Sequence, residues 1–410
     1  MSLLDGTNAP TLTVEFDYGW RTYFTIGVSP LGGSDVLGAS TGTNWQQVPI
    51  ADARSISIRR GRTREDQTNQ PGQLTLVLDN LSGNYDPDNT ASSYQWYGYS
   101  TLVRGMGVRV SATYASTTYI QFFGYLEHID VDVSLDPVVT IVATDPLAIL
   151  GARQLASISS SYSGDTTASR VNRILDTIVF PTGSRTLTGN RQMQPTTFGS
   201  TALALCEEAA RCEYGRFHAD RQGNIVLIPY ESLQTTTSRF ALSDTRSAGT
   251  IEYDEIHTTP GAYFLINQCV LTQYSGFSQT ADIPASETRF GTYTRNVNAP
   301  LLNNSDALPM AGFYANRNSY PSTRVDRIAF DGLGAGSAWT NILQTDLGDQ
   351  VTVARTTVDS RTLSYGCFIE SWNMDISPTS WRISMDLSPL IASKFTLDIS
   401  ALDLFDTLAS

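Results

Sequence analysis

Lysine is almost missing from this 410-residue chain: Lys394 is the only one, and arginine fills every other basic position. Acidic residues outnumber basic ones, 40 to 27, for a formal net charge of −13. Such a chain lacks the cationic excess that binding to a phosphate backbone draws on, which argues against a nucleic-acid reader. Histidine is scarce as well. His128, His218 and His257 are the full set, and none stands beside a Ser or Cys in a nucleophile context such as G-x-S-x-G. There is no P-loop and no HExxH. The four cysteines, Cys206, Cys212, Cys269 and Cys367, form no CxxC and have no histidine at ligand spacing, so they read as buried thiols and no metal or other cofactor is expected. No run approaches 18 apolar residues, and the opening MSLLDGTNAPTLTVEF lacks a basic region followed by an apolar core. The expectation is a chain neither exported by a signal peptide nor inserted in a membrane.

What is present is alternation. The segments TLTVEFDY, TYFTIGVS, RSISIRR, QLTLVLDN, GVRVSATYA, TYIQFFGYLEHIDVDVS and VVTIVATD carry period-two or β-branched patterns, broken by Gly, Pro, Asn or Asp. They predict a β domain over 1–154. The period then changes. TTASRVNRILDTIVF puts Val171, Ile174, Leu175 and Ile178 on one helical face, with Thr166 or Thr167 as the N-cap. A second helix is read in STALALCEEAARC, with Leu203, Cys206 and Ala210 on one face, followed by two strands around an Asp220–Asn224 turn. These make an α+β module over 155–248. Strands return over 249–392, with an insertion-like stretch at 275–321, and 393–410 reads as a tail with an apolar stripe and an acidic face.

The two β regions repeat one another. Gly105 matches Gly348, Val108 matches Val351, Val110 matches Val353, Glu127 matches Glu370, Asp132 matches Asp375, Ser134 matches Ser377, and Pro146-Leu147 matches Pro389-Leu390, always 243 positions apart. A constant offset without a gap is the mark of a duplicated unit. The fold class expected is therefore mainly β with a small α+β module, two tube-like β-barrel domains being related by the internal repeat.

Three local stretches invite a sharper reading. RRGRTRED sets Arg59, Arg60, Arg62 and Arg64 against Glu65 and Asp66, which suits a solvated hairpin or an interface loop better than a nucleic-acid patch. Asp79, Asp86 and Asp88 in DNLSGNYDPDN lack EF-hand spacing and read as turn residues rather than as a calcium site. The aromatic run Tyr94-Gln95-Trp96-Tyr97-Gly98-Tyr99 could be a platform for sugars, but reads as core or interface. Arg59, Arg60, Arg62, Arg64, Trp96, Tyr97 and Tyr99 are the candidate interface residues, and no catalytic residue is expected; carboxylate pairs such as Glu127 and Asp130 are too common in an acidic chain to mark a hydrolase.

In their order along the chain, WQQVPIADARSISIRRGR, PGQLTLVLDNLSGNYDPDN, GVRV, FGYLEHIDV, the helical module with its D-x-x-G hairpin, DLGDQVTV and SWRISMDLSP resemble the minor tail proteins of long-tailed bacteriophages, the baseplate or tail-tip hub family. The resemblance implies a non-enzymatic virion component at the tail tip. It implies a homotrimer whose paired barrels present six similar units, joined to the tail tube or a distal tail protein, other tail-tip proteins and the tape measure protein. Genomic DNA would pass through without specific binding, past an acidic lumen. A hexameric distal-tail ring is the nearest variant, and a glycan-binding adhesin or tail-associated glycan hydrolase the rival from another class.

Overall fold

The structure is a computed structural model that describes residues 9–17, 45–96, 99–155, 159–160, 164–197, 199–233, 237–245 and 249–390. The expected strand TYFTIGVS and the tail 393–410 lie outside the described residues. The chain is mainly β, as its alternation requires. In the strand Thr11–Asp17, for example, Leu12, Val14 and Phe16 point into the core while Thr11 is exposed.

Fifteen strands join in one sheet system around the larger hydrophobic core. On the first-half side run Ala53–Gly61, Gln70–Asp79, Val138–Thr144, Thr117–Asp132, Gly107–Tyr114, Thr11–Asp17 and Trp45–Val48, in that spatial order. On the other side, Ser371–Ser377 is followed by Ser380–Pro389, Thr362–Ile369, Gln350–Thr356, Ser238–Ser243 and Thr250–Glu252; Arg324–Asp331 joins Ser380–Pro389, and Glu255–Thr259 joins Arg324–Asp331. Among the described residues the sheet is open, ending at Trp45–Val48, at Thr250–Glu252 and, on the side branch, at Glu255–Thr259.

The halves meet at an antiparallel seam. Ala53–Gly61 pairs with Ser371–Ser377, Ile56 facing Ile376, Ile58 facing Met374 and Arg60 facing Trp372. Ile56, Ile58, Met374, Ile376 and Trp372 are all buried there.

The 243-residue displacement reappears in the hydrogen bonding. Gly107 faces Tyr125 and Val110 faces Phe122; Gln350 faces Phe368 and Val353 faces Tyr365. Gly105 donates to Leu126 O at 2.7 Å with φ +90°, and Gly348 donates to Ile369 O at 2.9 Å with φ +89°. A one-residue slip falls between Leu126 and His128, leaving Glu127 out of register. The slip recurs at Glu370, between the pairs Ile369–Leu387 and Asn373–Ser384. The likeness also reaches strands that the constant offset misses. Asp79 ends one strand by accepting from Leu81 N at 3.0 Å, and Asp331 ends another by accepting from Leu333 N at 2.9 Å.

A second core gathers the middle of the chain. Helix Thr167–Thr177 is capped by Thr166, whose side chain accepts from Ser169 N, and it buries Val171, Ile174 and Leu175. Helix Ala202–Cys212 buries Cys206 and Ala210 as expected, but its inward face is centred on Ala202, Leu205 and Ala209, so Leu203 is only partly buried. The stretch read as an insertion joins this core. Its strands Ser278–Asp282 and Thr294–Ala299 flank the preceding strand Gln268–Gln273 in one sheet beside helix Asn304–Arg317, and Cys269, Leu271, Val297 and Ala311 pack with Ile174 and Leu227. Among the described residues no helix is long and apolar enough to cross a membrane.

Candidate functional site

The strand Ala53–Gly61 ends where the seam meets the middle module, so the arginines that follow its apolar residues enter a junction of three parts. Arg60 is 4% exposed; its guanidinium donates to Ala219 O at 2.9 Å and Asp346 Oδ1 at 2.6 Å. Arg62 Nε donates to Glu370 Oε2 at 2.7 Å. On its other oxygen Glu370 accepts from Arg216 and from the Ser388 hydroxyl. Glu65 accepts from Arg317 Nε at 3.0 Å and from Arg324 Nη1 at 3.1 Å. Arg317 also reaches the Tyr230 hydroxyl and lies 4.9 Å from the centre of that ring. Glu65, Arg60 and Arg62 come from the first half; Glu370, Asp346, Arg324 and Ser388 from the second; Arg216, Ala219 and Tyr230 from the middle module.

The electrostatics follow from this pairing. Burial works to raise the Glu370 carboxyl, but Arg216 and Arg62 outweigh it and hold the group well below the usual carboxylate range. Glu65 is likewise lowered, burial being overcome by Arg317 and Arg324. His218 sits close by and fully buried, and burial pushes it down to about 4. With every junction carboxylate named above accepting from at least two donors, the arrangement acts as a lock that fixes the three parts relative to one another.

Beside the lock lies a cavity of about 400 Å³, lined by Arg62, Glu65, Glu207, Arg211, Arg295 and Arg317 among others. Burial pushes Glu207 up to about 7, with Arg211 and Arg62 pulling the other way. The folded chain therefore keeps a proton that the unfolded chain releases above its ordinary 4.5. That stabilising contribution is complete below 4.5 and is lost as pH rises through 7. Relative to the native chain, Glu207→Gln is expected to gain roughly 1–2 kcal/mol between pH 4.5 and pH 8, allowing for partial exposure. Urea unfolding across that range checks this, and a difference that stays flat with pH overturns it.

The candidate interface residues fall into three groups. Arg60 and Arg62, read from sequence as part of a solvated or partner-facing loop, are spent inside the chain: Arg60 donates to the half-buried Asp346 and Arg62 to the buried Glu370. Arg59 and Arg64 remain exposed, Arg64 pairing with Asp66 at 3.0 Å. Tyr97 lies outside the described residues, and of Trp96 and Tyr99 only the backbone is described, as the facing pair of a short hairpin. Among the aspartates of the turn-rich loop, Asp79 pairs with Arg54 at 2.9 Å, and Asp86 accepts from Asp88 N at 2.9 Å. Sequence reasoning missed Arg216, Arg317 and Asp346, which carry much of the lock. Its one usable signal was Glu370, matched to Glu127 in the repeat.

No family model matches the sequence, and no curated protein matches it. Solved structures do. A tail protein from Neisseria meningitidis MC58 superposes with a TM-score of 0.59 at 10% identity, over 92% of this chain and 96% of that one. The chain has the fold of a phage tail protein. The 43 kDa tail protein of prophage MuSo2 from Shewanella oneidensis is similar at a TM-score of 0.55 and 11% identity, over 92% of this chain and 98% of its own.

Proposed function

We propose that this chain is a non-enzymatic structural subunit of a phage tail tip or baseplate. In this reading it is a hub ring of three copies that joins the tail tube to the distal tip and forms part of the DNA conduit. Each half supplies one tube-like barrel unit, so three chains offer six similar surfaces to the tube above. The observation that carries the reading is the shared register of the two halves, down to the paired glycines Gly105 and Gly348 and the slips at Glu127 and Glu370. A ring of six copies with one unit each, the distal-tail variant, has no use for that duplication. The lock at the junction serves the same end, because two units can share a ring only if their mutual orientation is held. The net charge of −13 suits a lumen that DNA must traverse without binding.

The experiment is image averaging of the purified chain at high concentration. Threefold rings with six peripheral lobes around a hole are the expected result. Sixfold rings of single copies, or particles that stay monomeric across the concentration range, overturn the three-copy hub.

A further inference from the structure

The seam inside the chain has a counterpart with one side missing. Ala53–Gly61 meets Ser371–Ser377 as strand of the first half against strand of the second. The 243-residue displacement carries Ser371–Ser377 onto the end of the long strand Thr117–Asp132 and its continuation: Trp372 onto Ile129, Met374 onto Val131, Asp375 onto Asp132 and Ile376 onto Val133. The partner strand has a counterpart too. Ala53–Gly61 pairs with Gln70–Asp79, Ile56 facing Leu76; Glu255–Thr259 pairs with Arg324–Asp331, Ile256 facing Ile328. Leu76 and Ile328 are equivalent because Asp79 and Asp331, three residues on, end their strands with the same turn. Glu255–Thr259 is therefore the second-half copy of Ala53–Gly61.

These two counterparts do not meet within the chain. Among the described residues, Glu255–Thr259 pairs only with Arg324–Asp331, and the end of Thr117–Asp132 beyond Glu127 pairs only with Val138–Thr144. Each leaves one hydrogen-bonding edge without a strand, which folded chains seldom leave bare. Burial shows what each edge is built for. At the seam Trp372, Met374, Ile376 and Ile56 are at most 2% exposed. Their counterparts Ile129, Val131 and Ile256 are only partly buried against the core, and Val133 is 80% exposed. Between them His128, Asp130, Asp132, Glu255 and His257 stay exposed, so both edges keep the alternation of a half-buried strand.

We propose that the edge Glu255–Thr259 of one copy pairs antiparallel with the edge from His128 to Val133 of the next, repeating between chains the seam found within each chain. The register follows from the seam: Ile256 faces Val133, His257 faces Asp132, and Thr258 faces Val131. In the seam the Ser57 hydroxyl donates to Asp375 Oδ1 at 2.6 Å; between chains the His257 ring would stand where Ser57 stands, opposite Asp132. The two patches differ, so the contact is head to tail and must close into a ring or grow without limit. Closure at three copies rests on the hub reading above; the pairing of the edges does not.

The test uses the full chain with Asp132→Cys and His257→Cys together and each alone, under mild oxidation at assembling concentration. Both positions are exposed, and the native cysteines Cys206, Cys212, Cys269 and Cys367 are all buried, so background cross-linking is low. Residues directly opposite across an antiparallel pair are within disulfide reach. The expected result is a covalent species of three chains from the double variant and none from either single one. A ladder running past three keeps the edge pairing and overturns the three-copy ring. Trimers in light scattering without cross-links, or cross-links from one substitution alone, overturn the edge pairing and leave the ring standing. A chain that stays monomeric and uncross-linked overturns both.

Discussion

Replacing Glu370 by Gln is expected to destabilise the chain by about 3–5 kcal/mol, read as a fall in the urea midpoint at neutral pH. The amide keeps the shape of the side chain and removes its charge. Arg216 and Arg62 then stay in place, 5% and 11% exposed at the side chain, with no anion between them. Breaking a buried pair by deleting one partner costs more than the pair contributes, because the surviving charges remain desolvated. The duplication supplies a matched control. Glu127 occupies the same slip in the first half, but its side chain is 42% exposed and its partner Arg104 74% exposed. Glu127→Gln is expected to cost about 1 kcal/mol or less. Equal losses at the two positions overturn the view that Glu370 locks the junction. The pH sense follows as well: with the folded pKa of Glu370 depressed, its contribution is present above the ordinary 4.5 and is lost as pH falls.

That contrast marks where sequence reading succeeds and where it stops. Strand alternation is a local property, so Leu12, Val14 and Phe16, or the helical face of Val171, Ile174 and Leu175, could be read directly. The repeat was legible over 105–134, where no gap interrupts it; in the next strand the equivalence moves to 244, Val138 facing Asp132 where Arg382 faces Asp375. It was not legible over 70–81, where changed loop lengths move the offset and only the shared turns at Asp79 and Asp331 reveal the match. Glu127 and Glu370 looked alike because a repeat preserves register, not environment. What separates them is the arrival of Arg216 and Ser388, which no local pattern encodes. The arginines misled for the same reason. RRGRTRED shows four cations and two anions beside each other, yet Arg60 ends on Asp346 and Arg62 on Glu370, across 286 and 308 residues. The seam itself pairs residues more than 300 positions apart, which alternation alone leaves unassigned.

Gly61→Ala is expected to open that seam, at a cost of about 3–5 kcal/mol. Gly61 ends its strand at φ +98°, a conformation that side chains other than glycine rarely take. A Cβ there would stand 2.2 Å from the Glu370 carbonyl oxygen and 2.8 Å from Ser371 Cα. Both contacts are backbone, so neither can swing aside as a flexible side chain would. The same carbonyl accepts from Arg62 N at 2.9 Å, and moving it would disturb the peptide that carries the Glu370 side chain. Gly105→Ala separates the two contributions, since Gly105 has φ +90° and open space around its absent Cβ. It is expected to lose only the conformational part, about 1–2 kcal/mol. Similar losses in the two variants would mean that backbone angle alone accounts for the effect and that the halves are not pressed together at Gly61. A much larger loss at Gly61, with ring assembly failing before the monomer unfolds, would tie the close approach of the halves to the geometry that a ring of repeated seams requires.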